Sequence, residues 1–139
     1  MLDLVSARYP LALADPAAAA VPRVLAVADQ LVLVVPASPD AASALAMTLE
    51  WLEAHGRGGL AMSAITVLNG VSRATMRHVE QAESVASGRC RAIIRVPWDD
   101  RLQGQAGPVS SATVHAYTAL AGVLIAGLAE TPEPRTAQL

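Results

Sequence analysis

Residues 9–36 read YPLALADPAAAAVPRVLAVADQLVLVVP, two apolar runs, 11–14 and 31–35, on either side of a spacer long enough for one short helix. Neither run alternates with polar residues, the pattern of strands covered on both faces. Each ends at a turn, the first at Asp15-Pro16 and the second at Pro36. Pro22 suits the first turn of a helix over 22–28, because its fixed φ is already helical. Strand, helix and strand in this order imply a right-handed crossover and a parallel sheet. Such sheets gather their ligands at the carboxyl ends of the strands. Upstream, Leu2 and Val5 fit the last turns of a helix over 2–8, so the chain reads as starting in the middle of a domain.

Downstream the alternation continues. Ser38-Pro39-Asp40 reads as an N-cap, a proline at the first helical position and an acid near the positive helix end. The helix that follows runs to about Ala54, with Ala42, Leu45, Leu49 and Leu52 on one face and His55-Gly56 closing it. A third strand spans 65–68 and ends at Asn69-Gly70. Ser72 caps a more polar helix over 73–86 that turns Met76 and Val79 inward. A fourth strand covers 92–96 and is stopped by Pro97. The last helix spans 109–129, with Val114, Tyr117, Leu120, Ala121, Leu124 and Leu128 sharing an inward face. The predicted fold is α/β, a three-layer and mostly parallel sheet flanked by helices, with residues 1–129 forming the domain and 130–139 a flexible tail.

Composition narrows the function. With 139 residues and 53% hydrophobic content, the chain can fill one core. A net charge of -2 and 16% charged residues provide no basic field for nucleic acid or an anionic membrane. The single Cys90 excludes an intramolecular disulfide and fits a cytoplasmic protein. The apolar stretch 116–129 is shorter than the ~20 residues a membrane span needs, so it reads as a buried helix. His55, His78 and His115 lack metal-ligand spacing and read as surface residues.

Three positions can carry chemistry. Asp15 ends an apolar strand, where a Mg²⁺-associated carboxylate can meet phosphates at the mouth of a sheet. Asn69 ends another and can offer its amide to a purine edge. Val96-Pro97-Trp98-Asp99 ends the last strand with a proline, a ring and an acid, which can wall a base or bind a ribose. Each has a plainer structural use as a turn residue, a strand stop or a packed ring. The ordered set is more specific than its members, and it resembles the later half of the MinD/ParA type of P-loop ATPase over residues 2–128. The resemblance implies that Asp15 matches the acid of the Walker B and switch II segment, serving catalysis and metal. It makes Asn69 the adenine contact, and Pro97 with Asp99 the base-side loop.

The chain departs from that family in two places. All 10 of its basic residues are arginines, and the Gly-rich phosphate loop with its lysines has no counterpart. The turn DPAAAA after Asp15 also lacks the expected switch glycine. The resemblance therefore implies a half-domain that binds ATP or ADP with Mg²⁺ but cannot hydrolyse ATP alone. The alternative is a non-enzymatic interaction or dimerisation module on the same scaffold. In the family's sheet the missing strand lies between the strand ending at Asp15 and the one ending at Val35. Its loss exposes an apolar sheet edge, for which the expected partners are a second copy or another chain, with no membrane and no direct nucleic acid.

Overall fold

The computed structural model describes residues 11–130; the helix expected over 2–8 and the tail expected from 131 onward lie outside the described residues. A 3-10 turn, Ala18–Ala20, leads into α1 (Val21–Val27), then β1 (Val32–Pro36), α2 (Ala41–Ala54), a short α3 (Gly58–Met62) and β2 (Ile65–Val71). A second 3-10 turn, Arg73–Thr75, opens α4 (Met76–Ala86), and β3 (Ala92–Pro97) and α5 (Ser111–Glu130) complete the order. The three strands form one parallel sheet in the order β1-β2-β3. This is the α/β fold read from the sequence, a parallel sheet between helical layers.

Both crossover helices, α2 and α4, pack on one face, as two crossovers of the same hand between consecutive neighbouring strands require. They bury Leu45, Leu49, Leu52, Val79, Ala82 and Ala86 against Val35 and Leu68. The buried face of α2 carries Ala41 where Ala42 was expected, a small rotation, and His55-Gly56 ends the helix with Gly56 at φ +73°. At the start of α2 the Ser38 carbonyl, not its hydroxyl, accepts from the Ala41 N–H. Ser72 caps the next helical segment as expected, its N–H donating to the Thr75 hydroxyl at 2.9 Å.

Among the described residues the opposite face is covered by α5 alone. Ile65, Val67, Val96 and Ala116 are buried there, with Leu120, Val123 and Leu124 only partly so. One fastening holds the start of this helix, where Thr113 is bonded to Asp99 at the end of β3. Near its other end Gly127 is buried under the ends of the Gln30 and Arg91 side chains.

Three expectations are corrected. Residues 11–14 form no strand; Leu11 and Leu13 are exposed. A strand needs a neighbour to pair its N–H and C=O groups, and among the described residues the outer side of β1 has none. Next, β2 does not stop at Asn69-Gly70 but runs on to Val71, with a bulge between Asn69 and Val71. Finally, α5 is 20 residues long and is not a buried helix. Its stretch Ser111–Ala129 is long and apolar enough to cross a membrane, yet only 17% of its most apolar window is buried. Its inward face is Thr113, Ala116, Leu120, Val123 and Leu124; Leu120 and Leu124 face inward as expected, whereas Val114, Tyr117 and Ala121, also expected there, are exposed. With no charge before Glu130, hydropathy does not fix the roll of this helix. The Asp99–Thr113 bond does.

Candidate functional site

The carboxyl edge of the sheet collects Pro36, Asn69 and Val96, which are in register across the three strands. Just beyond them the chain makes two departures from regular pairing. Gly70 adopts φ +83°, a left-handed conformation open to glycine, and leaves the ladder as the bulged residue. The Trp98 N–H then donates to the Val71 carbonyl at 2.9 Å, which draws the indole across Gly70. A Cβ on Gly70 would lie 3.4 Å from Trp98 Cε3. The bulge thus makes the seat for the ring.

Trp98 is nevertheless 56% exposed. Its indole N–H donates to Asp100 Oδ1 at 2.9 Å, which fixes the ring plane and leaves one π face toward solvent. Asn69 sits beside the bulge, its carbonyl accepting from the Ala37 N–H at 2.8 Å. Its side chain is exposed and has no hydrogen-bond partner among the described residues. An amide with both donor and acceptor available next to a pinned aromatic ring can recognise a planar, hydrogen-bonding ligand.

Asp99 has a different occupation. Its Oδ2 accepts from the Thr113 hydroxyl at 2.7 Å and the Ser110 N–H at 2.8 Å, and its Oδ1 from the Arg101 N–H at 3.0 Å. Ser110 also caps α5, its hydroxyl oxygen accepting from the Thr113 N–H at 3.1 Å. The Thr113 hydroxyl, followed by the two backbone amides, holds the Asp99 carboxyl well below the usual range, at about 2. Both oxygens are engaged inside the protein, and the residue is only 9% exposed. Its visible task is to join β3 to α5.

Asp15 is exposed and lies in irregular chain rather than at a strand end. Among the described residues there is no group of three His, Cys, Asp or Glu side chains that could hold a metal. A Mg²⁺ ion at Asp15 would depend on water and phosphate oxygens for its remaining ligands. Pro97 is half-buried and faces the outer side of β3. The fold therefore brings Asn69, Pro97 and Asp99 to one edge, where Asn69 alone among the three offers free polar atoms.

Sequence reasoning missed Gly70 and Thr113. The Ser110-x-x-Thr113 spacing is a cap signal that could have placed the helix start and named Thr113 as an inward residue. The role of Gly70 depends on the neighbouring strand, so no local signal carries it. Comparison of the chain with protein-family models, with curated proteins and with solved structures found no match to any.

Proposed function

We propose that this chain is a non-enzymatic docking module on a scaffold resembling the later half of a MinD/ParA-type ATPase. The observation that carries this reading is the bare half of the sheet's second face. Val34 of β1 is in register with Val67, which packs beneath α5, yet Val34 is 63% exposed. Neighbouring strand residues in register point to the same face, so among the described residues the surface over the carboxyl half of β1 is apolar and uncovered, while Val32 packs partly against the core under α5. On α5, Val114, Tyr117 and Ile125 are exposed as well. A sheet of three strands at ~4.8 Å spacing is wider than one helix of ~10 Å diameter can cover. A partner segment over β1 would complete the layer. The outer edge of β1 is unpaired among the described residues, so a strand from the same partner could add there.

A protein partner accounts for these features better than a bilayer, because α5 is fastened to the end of β3 through Thr113 and its Leu120–Leu124 side is already committed to the sheet. The test is to compare wild type with the double variant Val34→Glu and Ile125→Glu as bait for proteins of the source cell. The expected result is a defined partner whose capture is lost in the double variant, with no heat released by Mg-ATP or Mg-ADP up to millimolar concentration. Partner capture unchanged in the double variant would overturn the reading.

A second reading has one specific observation in its favour. The Asn69 amide beside the pinned Trp98 ring suits a nucleobase, so nucleotide could bind by its base side without a phosphate loop. That reading expects calorimetric binding in the micromolar range, lost in Asn69→Ala and weakened in Trp98→Ala.

A further inference from the structure

We infer that Asn69-Gly70 is a self-modification site, where the Gly70 backbone nitrogen attacks the Asn69 side chain, ammonia leaves, and water completes the exchange of an amide for a carboxylate. The inference depends on neither reading of the function and stands or falls apart from both.

The chemistry is intramolecular. A bond from Gly70 N to Asn69 Cγ closes a five-membered ring through Asn69 Cβ, Cα and C. The side-chain nitrogen departs as ammonia, balanced by the hydrogen that the Gly70 amide gives up. The cyclic imide then adds one water. Breaking the new N–Cγ bond leaves an ordinary aspartate at position 69. Breaking the original N–C bond leaves isoaspartate, with the main chain rerouted through the side chain and longer by a methylene. Nothing is oxidised or reduced, and the co-reactant is solvent water.

Three observations place the reaction here. The Asn69 side chain is exposed and without a hydrogen-bond partner among the described residues, so its Cγ is free to turn toward its own backbone. The attacking nitrogen belongs to a glycine, which puts no Cβ in the way, and that glycine sits at φ +83° in the bulge between Asn69 and Val71. Ring closure requires rotation about the Asn69 ψ, and the ladder is already irregular at this point. Finally, Asn69 is in register with Pro36, the last residue of β1. The rotation therefore opens an end rung, releasing the Ala37 N–H from the Asn69 carbonyl, and leaves the pairs at Val67 and Leu68 in place. Opening at the end of an element is the least costly kind of local unfolding.

The product changes the carboxyl edge of the sheet. A carboxylate only accepts hydrogen bonds, so the combined donor and acceptor beside Trp98 is lost. A negative charge is added to an edge that already carries Asp99 and Asp100. In the isoaspartate form the extra methylene displaces Gly70, against which the Trp98 ring packs, and the ring loses its seat. The unmodified edge thus has a finite lifetime set by the chain itself.

The experiment is incubation of the full chain in mildly alkaline buffer, folded and urea-unfolded in parallel. Amide loss is read by peptide-mapping mass spectrometry and isoaspartate by enzymatic methyl transfer to its carboxyl group. Asn69 is the chain's one asparagine and no Asp precedes a glycine, so the signal has a single source. In the folded chain the rate should lie within about a hundredfold of the unfolded rate, the two factors of ten allowed to local opening. It should also rise about tenfold per unit of pH, because the attacking species is the deprotonated amide. Asn69→Gln, which would have to close a larger ring, should give no isoaspartate. Protection beyond about a hundredfold would mean that the ladder locks Asn69 and would overturn the inference. Isoaspartate persisting in Asn69→Gln, or a rate that does not change with pH, would overturn it as well.

Discussion

The two faces of one sheet are built to different standards. Beneath α2 and α4 the centre of the interface is closed off from water, with Leu45, Leu49, Leu68 and Val79 at 0–1% exposure, and Leu33, Val71 and Ile93 lie partly buried around it. Beneath α5 Ile65 and Val96 are as closed off, Val67 and Ala116 are slightly less so, and Val34, Tyr117 and Ile125 remain in solvent. Composition does not explain the difference, since α5 is apolar along its whole length. The first face draws on α2 and α4 together with Leu25 of α1 and Ala61 of α3, and the second on one helix. A layer short of one helix leaves apolar surface that only another chain or segment can cover.

The comparison breaks most sharply under core truncation. Leu49→Ala should destabilise the fold by about 2–5 kcal/mol, since it opens a cavity in a closed core. Leu124→Ala, at a half-buried position under α5, should cost less than about 1.5 kcal/mol. Urea denaturation of both variants measures this, and equal losses would mean the two faces are packed alike.

Next in size is the fastening of α5. Asp99→Ala leaves the Thr113 hydroxyl and the Ser110 and Arg101 amides without their acceptor. The expected outcome is a lower melting temperature together with rapid proteolysis between Arg101 and Ser110, while the α2/α4 side stays protected. A cleavage pattern matching wild type would show that α5 is held by its apolar contacts instead.

The same group gives a pH dependence of known sign. Its folded pKa is depressed to about 2, below the ~3.9 of an unfolded aspartate. The contribution is therefore fully present above pH ~4 and is lost as the pH falls from ~4 toward ~2. Acid titration should detach α5 in this window in the wild type, and the Asp99→Ala variant should lack that step.

The smallest effect is expected on the uncovered surface. Ile125→Ser should change monomer stability by no more than about 0.5 kcal/mol, because Ile125 is 64% exposed in the single chain. A loss well beyond that would show that a partner or a second copy already covers this flank in solution.

The α/β class, the order of elements from residue 22 onward apart from the short α3, and the buried face of α2 and α4 could be read from the sequence. There the periodicity of Leu45, Leu49 and Leu52 and the Ser72 cap carry strong local signals. Residues 11–14 were misread because an apolar run says that a segment wants burial, not that a pairing neighbour is at hand. The roll of α5 was misread because a helix apolar on every side has no amphipathic direction. Its orientation is decided by Asp99, 14 residues before Thr113 in the chain. At the site, Asn69 and the 97–99 segment were placed correctly at the carboxyl edge, whereas the inward commitment of Asp99 depends on hydrogen bonds that form only once α5 is docked.

The most direct test of the underfilled second face is native-state amide hydrogen exchange on the full chain, since protection follows how firmly each element is packed. Markedly faster exchange in α5 than in α2 and α4 is the predicted result. Equal protection of α5 and the α2/α4 pair would contradict the account.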